Sequence, residues 1–262
     1  MDRIASWVRS NVGAVGLVIG LLALWEAAVR LLSVESFILP APSSVLVDLW
    51  KERSYLLSNT PATVIETWAG FALGLVAGVA LAIPIALTSF GAKAIMPLLV
   101  ATQAVPKTAL APLFVVWFGF GLTPKIVIAA LIAFFPIVVN LAKGLTAVEP
   151  ELVQYFRTLG ASGAKIFLRL RLPNSMPYFF ASLKVAVSLA TVGAIVGEFI
   201  GADSGLGFVI LQAINNLDTT IMFAALFMVS LIGIISYGIV GLIERALFGW
   251  QIASDKEVPS TA

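Results

Sequence analysis

Few side chains in this sequence can do chemistry, and their positions decide what that chemistry is. Lys107, Lys184 and Glu198 each fall inside long apolar stretches. An ionisable group surrounded by hydrocarbon is costly, so by default it marks a functional position, part of a solute, ion or proton path. Lys107 lies in VPKTALAPL between Pro106 and Pro112. Prolines there leave carbonyls that only protein or water can satisfy, so Lys107 is a candidate for lining a path. Lys184 follows Pro173 by eleven residues. Its stem can snorkel back to the surface, or the ammonium can line the inner half of a path or brace the preceding loop. Glu198, shortly before Gly201, is either an interface carboxylate close to water or a second path-lining group. Glu66 opens another apolar run and reads as a solvated charge at a helix start.

The second concentration of chemistry is RTLGASGAKIFLRLRLP, residues 157–173. It holds Arg157, Lys165, Arg169 and Arg171 in a chain that is only 11% charged. Just before it, Glu149, Pro150 and Glu151 suit the first turn of a helix, where proline is tolerated and carboxylates meet the positive end of the dipole. Leu152, Phe156 and Leu159 then share one face. Gly160 ends that helix and Ser162 can cap the next. Ile166, Phe167 and Leu170 form a second apolar face, and Leu172-Pro173 is expected to stop the unit. Two short amphipathic helices hinged at glycine can lie on lipid headgroups. They can equally form a protrusion whose apolar face enters a partner's groove.

Several chemistries are excluded. With no Cys and no His, disulfides, thiolate or imidazole catalysis and the usual zinc ligand sets are ruled out. An intramembrane serine protease needs a histidine. An aspartyl one needs two buried aspartates, whereas Asp occurs only at 2, 48, 203, 218 and 255, all near loops. The phosphate-cradling pattern Gly, four residues, Gly-Lys-Ser/Thr is absent. The net charge of +2 does not point to nucleic acid.

The elements that hold these residues are dictated by composition. Sixty per cent of the 262 residues are hydrophobic, against about 45–50% in soluble domains. Six spans are predicted, at roughly 12–32, 62–89, 94–118, 124–145, 175–200 and 218–244. Helices alone satisfy their own backbone in lipid without closing a barrel, so the fold class is an all-α membrane protein. Residues 1–262 read as one transmembrane domain, the apolar run after Arg9 being an uncleaved first span. Residues 33–61 form an extracytoplasmic connection in which LPAPSS (39–44) starts a short helix at about 44–53, with Ser43 or Ser44 expected to cap it. GFGLTP (119–124) makes a tight turn. SGLGF (204–208) reads as a tight external turn. Gly70, Gly74 and Gly78 form a small-residue stripe suited to close helix packing, within the subunit or across a dimer. Residues 146–173 form a cytoplasmic loop and 251–262 a flexible tail. Ten Lys and Arg fall on the side of the termini and four on the other. That places both termini of this multi-pass protein, and residues 157–173, in the cytoplasm.

Gly160, nine residues, Leu170, one residue, then Leu172-Pro173 resembles the cytoplasmic loop signature of ABC importer permeases. That signature commonly reads Glu-Ala-Ala, three residues, Gly, nine residues, Ile, one residue, Leu-Pro. LPAPSSVLVDLW (39–50), TWAGFALGLVAGVALAIPIAL (67–87), VPKTALAPLFVVWFGFGLTPK (105–125) and GAIVGEFIGADSGLGFVI (193–210) resemble the nitrate/sulfonate/taurine branch. The resemblance runs from about residue 35 to 245. It implies a type I ABC importer permease fold with a coupling-helix loop. It also implies a homodimer, a separate ATP-binding cassette ATPase that uses ATP and magnesium, and an extracytoplasmic substrate-binding protein. This chain would bind no cofactor itself. The ATPase contact would fall on Gln154, Tyr155, Phe156, Arg157, Leu159, Gly160, Ala161, Ile166, Phe167, Leu172 and Pro173, and Glu198 would lie by the outer gate. Gln154-Tyr155-Phe156 stands where the family often has Glu-Ala-Ala, which implies a wider or shifted ATPase groove. The expected solute is a nitrate-, sulfonate- or taurine-like anion. A pyrimidine, riboflavin or thiamine-precursor substrate is the alternative within the class, and a gradient-driven carrier the alternative outside it.

Overall fold

The computed structural model describes the backbone of residues 2–254; side chains are described for residue 13 and residues 15–249. All regular structure among the described residues is helical. Helix α1 (Asp2–Leu31) contains the first expected span. A short α2 (Pro42–Lys51) follows, with Pro42 at its first position. Helix α3 (Arg53–Leu87) is long and apolar. A π turn (Gly91–Ile95), α4 (Met96–Ala101) and a 3-10 turn (Thr102–Ala104) lead to a break; a second 3-10 turn (Lys107–Leu110) and α5 (Ala111–Phe118) follow it. Helix α6 (Leu122–Thr146) is the next long element. The loop carries α7 (Pro150–Thr158) and α8 (Gly163–Ile166). A π turn (Phe167–Arg171) feeds α9 (Leu172–Glu198). A ten-residue α10 (Leu206–Asn215) and α11 (Thr219–Ser254) complete the chain. The tail expected at 251–262 is thus helical to Ser254, and residues 255–262 lie outside the described residues.

Helix α6 is the centre of the bundle, packed along both α3 and α9. Small residues make this possible. A Cβ at Gly70 would overlap the Cβ of Ala129, and one at Gly193 would stand 2.6 Å from the Cα of the same Ala129. Ala129 is therefore clamped between α3 and α9. Gly74 and Gly78 continue the contact along Ala130, Ala133 and Ile137. The Gly70/Gly74/Gly78 stripe therefore packs within the subunit, where close backbone approach supplies the van der Waals contact that drives helix association in lipid.

Three expectations change. The third span is not one helix: its two halves, Gly91–Ala104 and Lys107–Phe118, are bent by 81°. Val105 is extended because it precedes Pro106, and Pro106 has no N–H to continue the ladder. Leu172-Pro173 does not stop the loop helix. Leu172 N–H donates to the Phe167 carbonyl five residues back. This wide turn lets helix run from Gly163 to Glu198 with Pro173 in the first turn of α9. Helix α2 is not capped by Ser43 or Ser44. Glu26 of α1 does it, accepting from the Ser43 N–H at 3.0 Å and the Ser43 hydroxyl at 2.7 Å. Arg30 donates to the same carboxylate at 2.6 Å. The turn at 119–124 holds as expected, with Gly119 and Gly121 at positive φ.

Candidate functional site

The loop is the most exposed functional candidate. Glu149 is the N-cap of α7 and Pro150 its first residue. The helix ends where Gly160 takes φ +74°. Gly160 N–H donates to the Arg157 carbonyl at 2.9 Å and Ala161 N–H to the Phe156 carbonyl at 3.0 Å. This paired closure needs a left-handed residue, which glycine adopts without a Cβ clash. Ser162 then caps α8 through the Lys165 N–H, as the spacing predicts. Gln154 is exposed. So are Leu152, Tyr155 and Leu159, at 43%, 59% and 66%. They line one stripe that no described residue of this chain covers. Phe156, expected on that stripe, is half-buried with its ring against Tyr155. Ile166 is buried and Phe167 packs onto the cluster around Leu99, Leu141 and Leu145. Arg157 lies on a different side of α7, in a cleft that also receives Arg171 and Ala161.

The span carboxylates and lysines are not isolated. Glu66, expected to be solvated, is fully buried, and Lys125 is 4% exposed. Lys125 Nζ meets Glu66 Oε1 at 2.8 Å. Glu198 is also fully buried, which corrects its interface reading. It accepts from the Thr63 hydroxyl at 2.6 Å and from the Gly207 N–H. Leu206 N–H donates to Thr63 Oγ1 at 2.9 Å, and Gly205 N–H to Asn59 Oδ1 at 3.0 Å. The positive end of α10 is thereby wrapped on a carboxylate from α9 and side chains from α3. SGLGF is not an external turn: its glycines let the backbone close on Glu198, since a Cβ at Gly207 would stand 2.7 Å from Glu198 Oε2. Lys184 pairs with Glu244 of α11 and lies 5.9 Å from the Tyr237 ring centroid. Lys107 stands just past the break in the third span, 5.7 Å from the ring of Phe135. Among the described residues it makes no ion pair.

The structure therefore brings Glu66, Lys125 and Glu198 to one end of the bundle, and Lys184 and Glu244 to a separate place. Lys125 and Glu244 escaped sequence reading. Each lies near the edge of an apolar run, where a charge reads as solvated.

Bent and close-packed apolar helices define a membrane-spanning bundle, and the short amphipathic α7 carries an apolar stripe that no described residue covers. The chain belongs to the family described as binding-protein-dependent transport system inner membrane component, which it matches over residues 70–249. It is 35% identical over 234 residues to a formylaminopyrimidine transport permease of Halalkalibacterium halodurans, covering 88% of this chain and 92% of that one. It is 36% identical to a riboflavin transport system permease of Chloroflexus aurantiacus, covering 95% of each. A putative aliphatic sulfonates transport permease of Bacillus subtilis is 30% identical, over 88% of this chain and 84% of that one. Among solved structures, the inward-facing methionine ABC transporter MetNI superposes with a TM-score of 0.58 at 20% identity, covering 72% of this chain and 95% of that chain. The fold is that of a type I ABC importer permease. The chain is an inner-membrane, multi-pass permease subunit without an ATPase site, and hydrolysis takes place in a separate subunit.

Proposed function

We propose that this permease carries a small uncharged heteroaromatic solute, of pyrimidine or vitamin-precursor type, handed over by a binding protein. The observation that carries this reading is the neutralisation of two span lysines, the buried Lys125 and the partly buried Lys184. Lys125 is matched by Glu66 and Lys184 by Glu244; Lys107, beside the break in the third span, meets no carboxylate among the described residues, nor do Lys93 and Lys143 near the ends of their helices. An anion path would keep more positive charge unpaired. The formylaminopyrimidine and riboflavin permeases, at 35% and 36% identity, support the same choice. A sulfonate- or taurine-like anion is the second reading, favoured by the unpaired Lys107 and by the sulfonate and taurine permeases among the relatives.

Two copies form the path in this proposal. Its support is the exposure of Val116, Trp117 and Phe120, at 79%, 62% and 78%, on and beside the bent third span. Both termini and the loop 146–173 face the cytoplasm. Leu152, Tyr155 and Leu159 seat in the ATPase, which alone holds ATP and magnesium; this chain binds no cofactor. Lys107 lines the path, Lys184 with Glu244 braces the loop-side half, and Glu198 holds the outer gate through α10.

The test is a mild-detergent pull-down of the tagged chain from native membranes, then ATP hydrolysis by the reconstituted complex with its binding protein. A stoichiometric ATPase that is lost in Tyr155→Asp, on the exposed stripe, supports the coupling assignment. Stimulation by pyrimidines and not by sulfonates supports the solute class, and the reverse pattern overturns it.

A further inference from the structure

Arg30, Lys51, Lys125 and Lys184 each have a carboxylate partner. Arg157 and Arg171, like several other described cations, have none among the described residues, but these two alone share one cleft of about 510 Å³ among the clefts described. Its other walls include Leu87, Val153, Ile166 and Phe167, and no Asp or Glu lines it. The nearest hydrogen-bond acceptor recorded for either guanidinium is the Ala86 carbonyl, a long 3.5 Å from Arg171 Nη1. Two guanidinium groups sharing a half-enclosed cleft repel unless an anion lies between them. Their planar forks match phosphate oxygens better than any other common anion except carboxylate.

The cleft's place narrows the source of that anion. Leu87 is the last residue of the spanning helix α3, so the cleft opens at the membrane boundary. Leu87, Phe90 and Leu168 beside it are exposed at 47%, 70% and 60%, an apolar margin for acyl chains. It also lies away from the Leu152/Tyr155/Leu159 stripe: Val153 and Arg157, four residues apart, face it from another side of α7.

We infer that this cleft binds the phosphate of an anionic phospholipid from the leaflet bordering the loop, with Arg157 and Arg171 as its two ligands. The bound headgroup ties α7 and the Phe167–Arg171 turn to the end of α3. The position of the loop then depends on anionic lipid.

The experiment is native mass spectrometry of the full chain, delipidated in detergent and titrated with phosphatidylglycerol, with phosphatidylcholine as the neutral reference. One phosphatidylglycerol per chain is expected, retained at least tenfold better than phosphatidylcholine. The Arg157→Gln/Arg171→Gln double variant should lose that preference, and Lys93→Gln should keep it. Ala164→Trp fills the cleft without changing charge and should lose it too. This second variant separates the site from a folding defect, provided the thermal melt is unchanged. Equal retention in wild type, the double variant and Ala164→Trp overturns the inference. Competition by millimolar inorganic phosphate would keep the phosphate site and reject the lipid as its source; the expected result is no competition.

Discussion

Lys125→Met is the sharpest test of how the bundle is held. Lys125 packs between α3 and α9, where a Cβ at Gly197 would stand 2.9 Å from its Cα. Its ammonium is the only cation found on Glu66 among the described residues. The other Glu66 oxygen is buried with no hydrogen-bond partner among the described residues. Methionine keeps the length and apolar stem but leaves a buried carboxylate with nothing to oppose it. Breaking one side of a buried pair costs about 3–5 kcal/mol, which raises the unfolded fraction roughly a hundred- to a few-thousand-fold. The assay is SDS-induced unfolding in mixed micelles, followed by tryptophan fluorescence. Glu66→Gln/Lys125→Met removes both charges and should recover most of the loss. If Lys125→Met alone is as stable as wild type, or the double variant is no better than the single, the pair does not compensate a buried charge and the reasoning fails.

Other outcomes follow from the same contacts. Gly70→Ala should destabilise by about 1–3 kcal/mol through overpacking on Ala129; Ala129→Gly in the same chain should restore stability in the same unfolding assay. Glu198→Gln should lose about 1.5–3 kcal/mol of charge-assisted hydrogen bonding to α10, read as faster proteolysis or cysteine labelling at introduced sites in 205–210. Gly160→Pro removes the N–H that closes α7 on the Arg157 carbonyl. The spans should insert normally while ATPase binding or coupling is lost, measured by membrane fractionation alongside pull-down and hydrolysis; normal coupled transport would contradict the assignment.

The composition and the apolar runs were enough to establish a helical membrane protein, because hydrocarbon leaves the backbone few ways to bond itself. Gly160 and Ser162 announced the loop's hinge from local chemistry alone, since a left-handed closure and an N-cap each depend on one residue and its near neighbours. The span boundaries were less legible. Pro106 signalled a free carbonyl, but whether a proline bends a helix or breaks it by 81° depends on what packs around it. Pro173 shows the converse: its type signals a helix stop, but a π turn just ahead absorbs it.

What only the tertiary structure decided was partnership. Nothing local ties Glu66 to Lys125, fifty-nine positions on, or Lys184 to Glu244. Nor does anything local say that the SGLGF backbone closes on Glu198. Each charge in a span raises one question of sequence, whether the group is there, and one of space, what neutralises it. In low dielectric the second answer determines function, and it is set by which helices the glycines and alanines of α3, α6 and α9 allow to touch.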